Sequence, residues 1–175
     1  MALPSQACSW IQSSSMKRME FFEIIAPVSD KLYRFAFNLI PDDLQAEQLV
    51  IDAFNAFLIK EKKNILSKEF EMQDKKSLQL LRRSFFKGIL SYMSEIGARR
   101  SMQLMEQMKL TRPAEFTNFF GLDAKVRAVL TLRYDFQFTV VEIEDILHMP
   151  RYEVIEKLHN GRFLLVNTLN QGAQL

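Results

Sequence analysis

Apolar residues recur at three- and four-residue intervals along almost the whole of this chain, and that period limits what it can fold into. From Phe21 the series runs through Phe22, Ile24 and Ile25, then Leu32, Phe35, Ala36, Leu39 and Ile40. Leu49, Val50, Ala53, Phe54, Phe57 and Leu58 form the broad face of a further helix. Leu80, Leu81, Phe85, Ile89, Tyr92, Met93 and Ile96 repeat the pattern later. This spacing marks amphipathic helices. Strand-like alternation is scarce, and the short turn signals of hairpins are missing. The pattern predicts an all-α protein.

Prolines and polar stretches punctuate the helices. Pro27 with Val28-Ser29 separates a first turn from a longer helix, and Pro41-Asp42-Asp43 closes that helix and opens the next. Lys60 to Lys76 is polar and mixed in charge, which suggests a surface connection. Leu78 to Met108 is expected as one long helix or two in series, with Gly97 a point of relaxation or break. Arg112-Pro113 is the clearest boundary, because a residue before proline avoids the helical region. Phe116 to Leu122 follows, then a helix over Ala124 to Tyr134. The expected organisation is two small helical domains, 20–108 and 116–175, joined by a linker over 109–115, behind a flexible tail over 1–19. No internal repeat is visible.

Within the second unit, Thr139 to Leu165 predicts two short helices across a tight break. Thr139 is placed to cap the first, with Glu142 three residues on to reach back to the cap N–H, which is a capping box. His148-Met149-Pro150 interrupts the pattern, and proline suits the first turn of a new helix. The result is the outline of a helix-turn-helix, a frequent reader of DNA grooves. Its charge runs against that use: Glu142, Glu144, Asp145, Glu153 and Glu156 outnumber Arg151, Lys157 and Arg162.

Net charge indicates no nucleic acid by itself, with 23 basic and 21 acidic residues in 175. One cysteine, Cys8, excludes an internal disulfide and fits a reducing cytoplasm. No apolar run approaches the roughly 18 residues needed to span a bilayer. The N-terminus lacks the basic start and apolar core of a secretory signal. Its serine run suggests a loose leader, although Trp10 and Ile11 offer docking groups. No catalytic constellation is found, and neither a metal nor a cofactor is expected. His148 and His159 lack metal-ligand spacing, Gly88, Gly97 and Gly121 are isolated, and no nucleophile elbow occurs. Met102, Met105 and Met108 form a stripe suited to a core or a partner-binding face.

Positive charge is concentrated locally. Lys75, Lys76, Arg82, Arg83, Lys87, Arg99 and Arg100 face only Glu95 over 75–100, a balance of +6. Phe85, Phe86 and Tyr92 are interleaved with them. Cations track a phosphate backbone and exposed aromatics stack on unpaired bases, so the stretch suits single-stranded or melted nucleic acid. The same residues equally describe an amphipathic helix with aromatics in the core and cations in water.

Three stretches carry a resemblance to a known family. LYRFAFNLIPDDLQAEQLVIDAFNAFL, Leu32 to Leu58, is similar to a pattern of an LYRLA helix, an acidic turn and an AEDLVQEXF helix. LLRRSFFKGILSYMSEIGARR, Leu80 to Arg100, occupies the place of a helix that opens and reads the minus-ten element. LDAKVRAVLTLRYDFQFTVVEIEDIL, Leu122 to Leu147, follows LPXXXRXVLXLRYXXGXSXXEIAXXL. Together, in order and over about 140 residues, they resemble the bacterial extracytoplasmic-function sigma factors, two-domain initiation subunits of RNA polymerase.

The resemblance implies a protein, not an enzyme, that binds RNA polymerase core and directs it to promoter DNA. It assigns core binding to Glu47, Gln48, Leu49, Ile51, Asp52 and Phe54. Arg82, Arg83 and Lys87 would contact the minus-ten strand, and Lys75, Lys76, Arg99 and Arg100 of the same basic stretch are further DNA-binding candidates. Arg151, Tyr152, Lys157 and Arg162 would contact the upstream element. The chain departs from the pattern at Gln48 and Ile51, where Asp and Gln are usual. It departs again at His148 for the turn glycine, at Pro150 for the capping serine, and at Ile155, Glu156 and Asn160 in the reading helix. Those departures admit a sigma-like mimic or adaptor that captures a protein such as an anti-sigma factor. A plain helix-turn-helix regulator is the other alternative.

Overall fold

The computed structural model describes residues 23–67, 75–108 and 119–172, and their regular structure is all helical, with no strand among them. A 3-10 turn over Ala26–Val28 contains Pro27 and leads into α1, Ser29–Leu39. Leu32, Phe35, Ala36 and Leu39 form its buried face. The Asp42 carboxylate accepts the Gln45 N–H at 2.9 Å and starts α2, Asp43–Ser67. Helix α3 follows over Lys75–Met108. Asp123 caps α4, Ala124–Leu130, by accepting the Lys125 N–H at 2.8 Å. The chain then widens into one π turn, Thr131–Asp135, before α5, Val140–Leu147, and α6, Arg151–Gly172.

Two boundaries differ from the sequence expectation, and one left open is settled. Helix α2 continues to Ser67, into the segment read as a surface connection. Lys60 to Ser67 contains no glycine or proline, and lysine, glutamate and leucine sustain a helix without an apolar stripe. Helix α3 passes through Gly97 unbroken. A Cβ there would lie 2.8 Å from Leu39 Cδ1 and 3.0 Å from Leu49 Cδ2, so this glycine serves close approach of α1 and α2 rather than a kink. The helix expected over Ala124 to Tyr134 is α-helical only to Leu130. The tail over 1–19 and the linker over 109–115, with Arg112-Pro113, lie outside the described residues, as do Cys8, Trp10 and Ile11.

Helices α1, α2 and α3 pack on one another, and α4 and α5 pack on that layer. One apolar cluster runs from Ile24 through Phe86 and Leu90 to Ile143 and Val154. Aromatic rings cross between the earlier and later helices: Phe136 lies 6.1 Å from Phe35 and 5.7 Å from Phe86, and Phe138 lies 6.1 Å from Phe86. Burial of each such side chain is worth roughly 1.5–3 kcal/mol. The Arg34–Asp135 pair at the same junction is largely exposed and adds less, about 1 kcal/mol at most.

The strongest polar tie is Arg127, which is fully buried at 1 % exposure. Its Nε donates to Asn38 O at 2.7 Å and its Nη2 to Leu39 O at 2.7 Å and Ser101 Oγ at 3.3 Å. Its Nη1 donates to Phe120 O at 3.1 Å and to Leu122 O. A guanidinium has five N–H groups, and each finds an acceptor. Two acceptors are carbonyls at the C-terminal end of α1, which lack intrahelical partners and carry the negative end of the helix dipole. Beside it, Asn38 Nδ2 donates to Thr131 Oγ1 at 3.0 Å.

Candidate nucleic-acid interface

The capping box foreseen at Thr139 is formed. Thr139 Oγ1 accepts the Glu142 N–H at 3.3 Å, and Glu142 Oε2 accepts the Thr139 N–H at 3.0 Å and its hydroxyl at 3.1 Å. The second oxygen of the same carboxylate faces α3. Oε1 accepts from Arg83 at 2.6 Å and from Lys87 at 2.8 Å. Arg83, Lys87 and Ser91 lie four residues apart, on one ridge of α3. That ridge runs along α5, and at its far end Ser91 Oγ and His148 Nε2 are hydrogen-bonded at 3.0 Å. The Phe138 ring lies under both cations, 5.2 Å from the Arg83 guanidinium and 5.8 Å from the Lys87 ammonium. Partial burial pushes the Glu142 carboxyl up, but the Lys87, Arg83 and Thr139 hydrogen bonds outweigh it and hold its pKa at about 2.

The other α3 cations are also engaged. Arg82 Nε donates to Ile24 O at 2.8 Å. Arg99 pairs with Glu95 one turn earlier at 2.7 Å. Arg100 pairs with Asp52 of α2, which Gln48 also holds at 2.8 Å. The Arg100 hydrogen bond leads in lowering the Asp52 pKa. Lys76 is exposed, and the Lys75 side chain lies outside the described residues. Phe85 and Phe86 are buried, so their apolar spacing reports core packing rather than stacking on bases. Tyr92 is half-buried, with the Lys60 ammonium 5.5 Å over its ring.

On α2 the residues read as a polymerase contact divide. Glu47, Gln48 and Ile51 are exposed, Asp52 and Phe54 are half-buried, and Leu49 is fully buried against the α3 glycine. Leu44 and Ile59 are exposed on α2 as well, and the sequence reading did not single them out. Their positions relative to Ile51, seven and eight residues away, would have revealed a shared helical face.

Helix α6 directs its polar and several apolar residues outward. Arg151 and Tyr152 are exposed at its start. Lys157 pairs with Glu153 at 3.4 Å, and Arg162 lies 6.0 Å over the Tyr134 ring. The break before α6 places His148 in the left-handed region, at φ 48°, a conformation glycine adopts most readily. Pro150 does not enter the helix but supplies its first acceptor: Pro150 O takes the N–H groups of Glu153 at 2.9 Å and Val154 at 3.2 Å.

A cleft of about 540 Å³ runs beside His148, between Ser94, Ala98 and Met102 of α3 and Lys125 and Met149 opposite. The side chains of Met105 and Met108, the rest of the expected methionine stripe, lie outside the described residues. Among the described residues no three His, Cys, Asp or Glu side chains are grouped to hold a metal ion. No helix among them is long and apolar enough to cross a membrane. The sequence matches no protein-family model and no curated protein.

Proposed function

We propose that this chain is a sigma-factor-like initiation protein that binds RNA polymerase core and directs it to promoter DNA, acting by binding alone. The observation that carries the reading is the α5–α6 pair. A capped helix, a three-residue break with a left-handed His148, and a second helix opening on exposed Arg151 and Tyr152 support reading the pair as a helix-turn-helix. Arg151, Tyr152, Lys157 and Arg162 then meet the upstream element, mainly at phosphates. The outer face of α2, with Glu47, Gln48 and Ile51 joined by Leu44 and Ile59, is the surface offered to the polymerase.

On this reading Arg83 and Lys87 hold Glu142 in the free protein and exchange that carboxylate for phosphate when the minus-ten strand arrives. Both ligands are anionic oxygens, so the exchange costs little beyond separating α5 from α3. The test is reconstitution with bacterial core polymerase on promoter DNA. Transcripts that depend on adding this chain are expected; absence of a stable complex with core sinks the proposal.

A second reading, a sigma-like adaptor that captures a protein such as an anti-sigma factor, draws support from one feature. Ile155, Phe163 and Val166 stand exposed on α6, where a groove-reading helix is ordinarily polar. Core binding without promoter-directed transcription would favour it.

A further inference from the structure

Helix α6 has two apolar faces, and the protein uses one. Its 22 residues extend about 33 Å at 1.5 Å per residue. Val154 and Gly161 are buried and Leu158 and Leu165 half-buried, forming the side that packs on α4. That packing is close: a Cβ on Gly161 would lie 2.8 Å from Val126 Cγ1. A second set, Tyr152, Ile155, His159, Phe163 and Val166, is spaced three, four, four and three residues apart. At about 100° per residue these five fall within an arc of about 80°, about 130° around from the buried side. Tyr152 is 72 % exposed, Phe163 66 %, Val166 55 % and Ile155 39 %, and His159 is exposed. A helix on the surface of a monomer needs one apolar stripe, so the second calls for a partner.

The flanking charges identify that partner. Arg151 and Arg162 border one edge of the stripe, and Glu156 borders the other. Arg151 and Glu156 are five residues apart, the interval at which flanking charges meet across a parallel two-stranded coil. In such a pair a two-fold axis along the helices brings opposite edges together, so each Arg151 faces the Glu156 of the other copy. An antiparallel two-fold pair instead sets the arginine edge against itself. Among the described residues neither Arg151 nor Glu156 makes an ion pair within its own chain.

We propose that α6 is a self-association helix, joining two copies of this chain in parallel along Tyr152, Ile155, His159, Phe163 and Val166, with two Arg151–Glu156 pairs at the edges. The contact is isologous and closes at two copies. Its seam is short, about 21 Å from 152 to 166, so the dimer is reversible and concentration-dependent. Because it covers Tyr152, pairing competes with entry of α6 into a DNA groove. The proposal does not depend on the sigma-like reading and is tested without polymerase or DNA.

The test is sedimentation equilibrium of the full chain from low to high micromolar concentration. The wild type is expected to shift from monomer to dimer mass. Phe163→Glu, on an exposed position, keeps the helical circular dichroism and weakens association at least about tenfold. Glu156→Arg alone weakens it as well, and Arg151→Glu combined with Glu156→Arg restores it. In a Cys8→Ser background, Tyr152→Cys is expected to cross-link to itself on oxidation. A monomer at every concentration overturns the proposal. So does a dimer indifferent to Phe163→Glu, or one whose Tyr152→Cys form stays uncross-linked while still associating.

Discussion

The cations of α3 and those of α6 are engaged in different ways. On α3, Arg83 and Lys87 share the Glu142 carboxylate, Arg82 holds a backbone carbonyl, and Arg99 and Arg100 have carboxylate partners. On α6, Arg151 is exposed, Lys157 pairs with Glu153 one turn earlier at 3.4 Å, and Arg162 lies over the Tyr134 ring. Five α3 cations thus already hold an oxygen acceptor, so the segment offers an outside phosphate less than its formal charge. Local charge density in a sequence measures how many cations exist, and the field that a polyanion meets depends on how many remain unneutralised after folding.

The largest effect belongs to the residue that keeps the two regions together. Arg127→Leu removes the donor from five acceptors, three of them in fully buried hydrogen bonds, and is expected to cost about 3–5 kcal/mol, read as a lowered denaturation midpoint. Arg127→Lys recovers only part of this, because an ammonium cannot reproduce the planar five-donor fork. A loss under about 1 kcal/mol for either variant would show that the α1–α4 junction does not depend on this group.

Glu142→Gln sharpens the contrast directly. Glutamine retains the reach-back of the capping box, so α5 keeps its start while Arg83 and Lys87 lose their counter-charge. Binding to a single-stranded oligonucleotide is expected to tighten about tenfold, with the salt slope steepening by about 1.4, or 0.7 for each of two released cations. Unchanged affinity and slope would mean that α3 lies outside the nucleic-acid contact.

Acid is a milder form of the same perturbation. The Glu142 pKa is depressed from 4.5 to about 2, so its contribution to stability is fully present above 4.5 and disappears as pH falls toward 2. Denaturation of wild type and Glu142→Gln should differ by a constant amount above 4.5, with the difference shrinking through that window. A difference independent of pH would assign the loss to the cap alone.

The smallest effects are expected on α6. Lys157→Ala and Arg162→Ala should each flatten the salt dependence of duplex binding by about one unit, with little change in stability. If neither changes the slope while Glu142→Gln steepens it, the nucleic-acid grip lies on α3 and α6 is free for the pairing inferred above.

The helices and their starts were legible because each rests on residues a few positions apart. Thr139 and Glu142 specify their capping box within one turn, and Asp42 and Asp123 act over two or three residues. Arg127 carried a readable signal that went unused. It lies at i+3 from Ala124 and beside Ala128, in line with Thr131, on the buried side of α4, a position where a charged residue has to be satisfied internally. Phe85 and Phe86 admitted either stacking or core from spacing alone, and only packing against Phe57, Phe136 and Phe138 chose the core. The second use of Glu142 had no local trace, since Arg83 lies 59 residues earlier.

The sequence by itself determined that this chain is helical and where α5 begins. Those properties follow from the helix period and from hydrogen bonds between near neighbours. The tertiary structure alone decided that Arg83 and Lys87 are already engaged. That outcome depends on α4 and α5 closing on α1 and α3, driven by aromatic burial and fixed by the Arg127 hydrogen bonds, which bring a carboxylate from one end of the chain onto cations from the middle.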